Sequence, residues 1–478
     1  MKDISTVINE LPHNVRNYKQ KYGLQGWKLE LHSTKGFNNI VVIPAIQEYE
    51  NIRSLLLSLN SNDKKYYDES LFIFVINNLK SSAEEAKEDN LKSIEFLRSI
   101  ISKENTAESF GAMNLGVVDA STTGYELPEK EGGVGLARKI GIDLALEQFD
   151  YRNNKKKIII SLDADCIVEQ NYLSAIVDAF NTKNISAAYV QYEHKLTDDE
   201  NEKRAIICYE MFLRYYALGL KYARSRYAFP TIGSTIACDC DSYIKVGGMN
   251  KRKAGEDFYF LEKLAKITEI GKIAGTKVYP SSRSSWRVPF GTGQRISRFN
   301  KGTHNEYVLY DPNTFKILKD WLQIFNSGKI LNAEEYLKAA ERINPLLKEF
   351  LIINNFLLSW NKILNNSKSE AQVQKQKTIW FDGFRTLKLI HFLRDNGFPP
   401  INMFKAIEEL IEIENGEWRI ENEKWRTMNA ELRIANGEPC LSAGKLRTMP
   451  IGRQVERGEE LPPIEIQTEY LNVLRTLT

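Results

Sequence analysis

The run Ile158-Ile159-Ile160-Ser161-Leu162, with Asp163 and Asp165 directly behind it, constrains this chain more than any other stretch. Three successive isoleucines read as a short buried strand. Residues two apart at the end of a strand point the same way, so Asp163 and Asp165 can face one ligand. Open α/β sheets place their ligands at the C-terminal ends of parallel strands. Two carboxylates there suit a hard divalent cation, which keeps waters and also takes phosphate oxygens. Acids are equally favoured at a helix N-terminus, so Asp-x-Asp alone leaves capping and metal binding both open.

The flanking sequence supplies the rest of such a sheet. Ile40-Val41-Val42-Ile43 is a predicted strand that Pro44 stops, and Glu50 to Leu59 repeats apolar residues at helical spacing. Leu71 to Ile76 is a second strand, ending in Asn77-Asn78. A charged helix follows over about Ser82–Ile101, then a third strand around Gly116–Asp119. A helix of about Gly135–Gln148 precedes the Asp163/Asp165 strand. Beyond it come a helix over Tyr172–Phe180, a strand over Ala187–Tyr192, an aromatic-rich helix over Cys208–Arg226 and a last strand at Lys277-Val278-Tyr279. Strands alternating with helices predict an α/β fold with a mostly parallel sheet flanked by helices. From about Asp311-Pro312 the segments Ala333–Ile343, Leu346–Leu364 and Ile401–Ile413 read as helices without intervening strands. The expected organisation is an N-terminal extension over 1–36, an α/β domain over 37–310 and a mostly helical region over 311–478.

Composition excludes several classes. A net charge of +3 over 478 residues gives no overall electrostatic case for nucleic acid. Five cysteines without a zinc-type array fit a reducing compartment, and Met1 to Asn39 is too polar for a signal peptide, so a cytoplasmic location is expected. Phe350 to Leu364, the richest apolar stretch, is interrupted by Asn354, Asn355 and Asn361 and is too short and polar to span a bilayer.

Five motifs in order then resemble family-2 glycosyltransferases with the Rossmann-like GT-A fold, over roughly residues 38–300. Pro44-Ala45-Ile46-Gln47-Glu48 is similar to the turn after that family's first strand. Gly133-Val134-Gly135-Leu136-Ala137-Arg138-Lys139-Ile140-Gly141 resembles its glycine-rich helix start, and Asp163-Ala164-Asp165 its Asp-x-Asp. Gly233 to Cys240 with Val246-Gly247-Gly248-Met249 is similar to the acceptor-side segment, and Gly255-Glu256-Asp257 to the Glu-Asp pair that carries the catalytic base.

The resemblance implies a metal-dependent, inverting hexosyl transfer from a nucleotide-diphosphate sugar to a glycan, lipid-linked or small-molecule acceptor. It places Asp257 as general base, supported by Glu256. It places Pro44, Ala45, Gln47, Glu48, Asn77, Arg138, Asp163, Arg295 and Arg298 against the nucleotide sugar. Mn2+ or Mg2+ is expected at Asp163 and Asp165, with His304 as a candidate third ligand. Gly233, Ser234 and Trp286 are expected on the acceptor side. Arg283, Arg287, Arg295, Arg298 and Lys301 crowd one loop whose guanidinium forks match phosphate oxygens. Asn77-Asn78 depart from the family, which usually has an acid there to read the base, and that leaves the donor nucleotide open.

Two other readings share these motifs. A retaining transferase would use the same metal and nucleotide sites without Asp257 as base. A catalytically inactive module would bind without turnover. A nucleotidyltransferase is disfavoured, because its Gly-rich basic signature is absent after the first strand. A peripheral membrane contact through helices in 331–364 and a homodimer are both compatible with the sequence.

Overall fold

The computed structural model describes residues 11–32, 36–102, 110, 112–283, 291–418 and 461–478. The chain divides into two compact units. The first is Met1–Asp198 with Thr231–Ser297, the second Asp199–Pro230 with Arg298–Thr478. Helix Glu200–Tyr222 therefore belongs with the C-terminal helices, although it lies between two strands of the first unit in sequence.

The first unit is built on one nine-stranded sheet in the order β1-β4-β3-β2-β5-β8-β7-β9-β6. The strands are β1 Leu29–Leu31, β2 Asn39–Ala45, β3 Ser70–Asn77, β4 Asn114–Ala120, β5 Ile158–Ser161, β6 Ile167–Val168, β7 Ala187–Tyr192, β8 Ile236–Asp239 and β9 Ile270–Tyr279. β4, β3, β2 and β5 pair in parallel. β8 is antiparallel to both β5 and β7, so β7 runs with β5, and β9 runs parallel to β7. Six strands thus point one way, opposed by β1, β8 and β6. The expected α/β fold with a mostly parallel, helix-flanked sheet is what the chain adopts.

Every residue of β2 and β3 is buried, as expected for parallel strands covered on both faces. Helices α2 (Tyr49–Asn60), α3 (Glu84–Ile101) and α5 (Tyr172–Thr182) cover one face, where Leu55, Leu59, Leu97 and Ile176 join Val41, Ile43 and Phe74 in one core. Helix α4 (Val134–Ala145) packs on β2 and β3 from the other face. Its Gly141 makes that approach: a Cβ there would lie 2.4 Å from Val42 Cγ1 and 2.8 Å from Val75 Cγ2.

The N-terminal segment joins this unit. Helix α1 (His13–Tyr22) sends Tyr18 into a buried polar cluster. The Tyr18 hydroxyl donates to Asp143 Oδ1 (2.8 Å), Tyr243 donates to the same oxygen (3.0 Å), and Lys139 Nζ donates to Asp143 Oδ2 (2.8 Å). Gly247 and Gly248 turn beneath it at φ +76° and +73°, a region side chains avoid. A Cβ on Gly248 would also strike the Tyr18 hydroxyl.

The second unit is helical. It holds α6 (Glu200–Tyr222), α10 (Pro312–Phe325), α11 (Ala333–Ile343), α12 (Pro345–Ile353), α13 (Phe356–Asn366), α14 (Glu370–Trp380), α15 (Gly383–Asn396), α16 (Met403–Trp418) and α17 (Ile464–Leu477). Helices α7 (Cys240–Lys245) and α8 (Glu256–Ala265) belong to the first unit, and α9 is Thr292–Asn300. A two-residue pairing joins β10 (Val308–Leu309) to β11 (Ile401–Asn402), the latter within the region expected to be mostly helical. The apolar run expected as one helix over Leu346–Leu364 is two, because Asn355 adopts φ 54° between them. Asparagine tolerates that left-handed conformation better than most residues.

Aromatic rings fill this core. Trp321 stacks on Phe325 at 4.9 Å and Phe356 on Trp360 at 5.9 Å. Buried Lys377 donates to the carbonyls of Ser327 (3.2 Å) and Lys329 (2.7 Å), which explains an ammonium in an apolar setting. Arg475 of α17 and Arg214 of α6 both bind the fully buried Glu210. Among the described residues, no helix is long and apolar enough to cross a membrane.

Candidate active site at the carboxyl edge of the sheet

Strand order reverses between β2 and β5. The chain steps from β2 outward to β3 and β4, then returns through α4 to β5 on the other side of β2. Crevices beyond the carboxyl ends of strands at such a reversal are where open α/β sheets bind ligands. Register pairs Val42 with Ser161, so Pro44 and Ala45 end β2, and Gln47 and Glu48 leave it, on the edge where Asp163 and Asp165 leave β5. Asn77 ends β3, beside them.

The asparagines at this edge have a structural job. Asn77 Nδ2 donates to the carbonyls of Ala45 (2.9 Å) and Val75 (3.1 Å). Asn78 Nδ2 donates to the carbonyls of Leu79 and Ser121. Asn90 of α3 donates to Asn77 O and Asn78 Oδ1 and accepts from the backbone N–H of Gln47, which sits at φ 55°. A carboxylate could not make these donations. That is a physical reason for amides where the resembled family carries an acid. Asn90 carries no sequence signal; it reads as an ordinary helix residue.

Arg138 is the centre of the site. It is 2% exposed, yet donates to both Asp163 and Glu256. A Cβ on Gly233 would lie 2.4 Å from Arg138 Nη2, so glycine there makes room for the guanidinium. Ser234 is buried in the same turn. Gly135 fits α4 against the following turn, since a Cβ would meet Arg252 O at 2.4 Å and Glu256 Cβ at 2.9 Å.

One guanidinium faces three acids. Burial alone would lower Arg138, but Asp163, then Glu256 and Asp257, hold it above its ordinary value. Burial pushes Glu256 up to about 7, against the pull of Arg138. Loss of water also raises Asp257, whose carboxylate accepts from the backbone N–H of Phe258 at 2.7 Å. Glu256 is committed to Arg138, whereas Asp257 is partly exposed at the start of α8.

The Asp165 carboxylate is one-quarter exposed. Arg283 Nη2 lies 3.6 Å from its Oδ2 and is bonded to the buried Glu48, which also accepts from Asn51 (2.6 Å). Arg283 is thus brought to the strand edge, and Glu48 is held by it. Asp163 and Asp165 are hard oxygen donors of the type Mg2+ or Mn2+ takes with waters and phosphate, while Asp163 is bound by Arg138 and Asp165 faces Arg283. Among the described residues no cluster of three or more His, Cys, Asp or Glu is placed to hold a metal. His304 is exposed in the second unit, with Nδ1 3.0 Å from Thr303 Oγ1. Arg295 lies in the first unit and Arg298 in the second, where it pairs with Glu306. Trp286 and Arg287 fall outside the described residues.

No known protein family matches the chain by sequence, and no curated protein does. Solved structures share a partial likeness. S. aureus TarS 1–349, solved in complex with UDP-GlcNAc, is 13% identical at a TM-score of 0.35, covering 73% of this chain and 92% of that one. The mannosyltransferase PcManGT from Pyrobaculum calidifontis, solved in complex with GDP-Man and Mn2+, is 13% identical at a TM-score of 0.33, covering 80% and 92%.

Proposed function

We propose that this chain is a glycosyltransferase of the GT-A type. It would transfer one sugar from a nucleotide-diphosphate donor to an acceptor hydroxyl, with inversion. The observation that carries the reading is buried Arg138, which links the strand-end Asp163 to the Glu256-Asp257 pair at the β2/β5 reversal. A donor-side carboxylate and an acid-base pair held on one guanidinium suit a reaction whose two ends must be aligned.

In this reading the acceptor oxygen bonds to the anomeric carbon as the bond from that carbon to the diphosphate oxygen breaks. The acceptor proton passes to Asp257. Asp257 takes this role over Glu256 because it is the more exposed and is not tied to Arg138. Its raised pKa moves it toward the range where a general base works at neutral pH. Glu256 is a positioning residue that holds Arg138, which in turn binds Asp163. Gln47 and Glu48 leave β2 where a nucleoside would lie, and Asn77, with both Nδ2 hydrogens committed, could offer a base only its Oδ1. Mg2+ or Mn2+ on Asp165 and Asp163 would offset the charge of the departing diphosphate. Arg283, held at the strand edge by Glu48, and Arg295 would contribute phosphate contacts, and Trp286 is retained as an acceptor contact on the motif alone. The buried free cysteines Cys166, Cys208, Cys238 and Cys240 fit a cytoplasmic setting.

The test is binding and turnover of a nucleotide-sugar panel, including UDP-GlcNAc and GDP-mannose, with and without Mn2+. The expected result is metal-dependent donor binding that Asp165→Ala abolishes, and an Asp257→Asn variant that binds donor but turns over at least about a hundredfold more slowly. Normal turnover by Asp257→Asn, or product with retained anomeric configuration, would replace inversion by the retaining reading. Binding of no donor at all would refute the transferase.

A further inference from the structure

Five of the eleven large apolar side chains exposed among the described residues lie on α12, α13 and α15 of the second unit. At the α12–α13 corner Ile352, Ile353, Leu357 and Leu358 are 54%, 59%, 41% and 69% exposed. Helix α12 runs antiparallel to α15: Leu346 Cδ1 reaches the Cβ position of Gly397 and Phe350 meets Phe392 at 5.7 Å. Continuing that register brings the C-terminal end of α12 alongside the turn of α15 that carries Lys388, with Phe384 one turn earlier on α15. Phe384 is itself exposed, with Lys388 Nζ 4.7 Å from its ring centre.

The charge around this patch is net positive. Between Phe350 and Arg394 the chain carries seven Lys or Arg against two acids, Glu370 and Asp382. Lys377 is buried and Arg394 is paired with Asp395, so the remaining balance is 5 − 2 = +3, as much as the whole chain carries. Asp382 is occupied in part as the cap of α15, accepting from the backbone N–H of Arg385 (2.9 Å).

We infer that this corner docks on the surface of an anionic lipid bilayer. The four apolar side chains would enter the boundary between headgroups and acyl chains, and the lysines flanking them would pair with lipid phosphates. Apolar projections ringed by long basic side chains match such an interface, since a lysine stem can lie along apolar surface with its ammonium at headgroup level. A second copy of the chain fits less well. A twofold pairing would oppose this face to itself and set +3 against +3. The inference is independent of the glycosyltransferase reading, because it uses no residue of that site.

The experiment floats the full chain with phosphatidylcholine vesicles and with vesicles that also contain phosphatidylglycerol. Binding is expected on the anionic vesicles, with apparent affinity at least about tenfold lower on neutral ones and falling as salt rises. Ile353→Asp/Leu358→Asp should lose binding, and Lys362→Glu/Lys388→Glu should weaken it by about tenfold or more. All four positions lie on the helix surfaces, and circular dichroism of each variant would check the fold. Absence of binding, or equal binding to neutral vesicles, would overturn the proposal. So would full binding by either variant. A wild-type dimer that Ile353→Asp/Leu358→Asp splits would reassign the face to self-association.

Discussion

Replacing Arg138 with methionine tests the arrangement at its centre. Methionine keeps the unbranched stem and the helical propensity, and deletes the guanidinium. Asp163, Glu256 and Asp257 are then left without their shared counter-charge. Glu256 sits at about 7 in the folded chain against an ordinary 4.5. A carboxyl raised in this way holds its proton more tightly folded than unfolded, so its contribution to stability is full below pH 4.5 and is lost as the pH climbs to 7. The difference, 7 − 4.5 = 2.5, corresponds to roughly 3 kcal/mol. Removing Arg138 raises Glu256 and Asp257 further and deepens that loss above neutrality. At pH 8, Arg138→Met should cost about 3–5 kcal/mol, the range for breaking a buried ion pair. At pH 5 Glu256 carries its proton, and the cost should fall to about 1–2 kcal/mol. Hydrogen exchange of the buried β2 and β5 amides reads the opening of this unit without averaging over the helical one. Adding Glu256→Gln should return about 1–3 kcal/mol at pH 8 and little at pH 5. An equal cost at both pH values, or simple addition of the two changes, would refute the claim that Arg138 holds charged carboxylates together.

Three further outcomes follow from particular contacts. Asn77→Asp removes both donors to Ala45 and Val75 and buries a charge among carbonyls; exchange at the end of β2 should rise by the equivalent of about 2–4 kcal/mol. Gly141→Ala gains up to about 1 kcal/mol of helix propensity but places a methyl 2.4 Å from Val42 Cγ1, so a net loss of about 1–2 kcal/mol is expected by chemical denaturation. Arg475→Ala leaves Glu210 buried with Arg214 as its remaining cation; it should destabilise α6 and α17 together by about 1–3 kcal/mol, read as faster exchange in both helices.

Much of the first unit was legible because its signals are local. Buried parallel strands appear as continuous apolar runs, so β2, β3 and β5 stood out, as did the acids at the end of β5. Gly247-Gly248 announced a turn for a backbone reason that any chain obeys. The Arg138 motif was visible, but its partners were not. Asp163 is 25 residues away and Glu256 118, and no periodicity links positions so far apart. Asn90 and Tyr18 escaped for the same reason: each is polar in a helix and earns its place only by what another element brings to it.

The sequence by itself determined where strands and helices form and which strand ends carry carboxylates, since those depend on periodicity within a few residues. Only the tertiary structure decided that β8 slots antiparallel between β5 and β7, and that α6 joins the C-terminal helices. It also decided that three acids share one buried arginine. Those choices are made by burial and by charge pairing between distant segments, and both exist only once the chain has closed on itself.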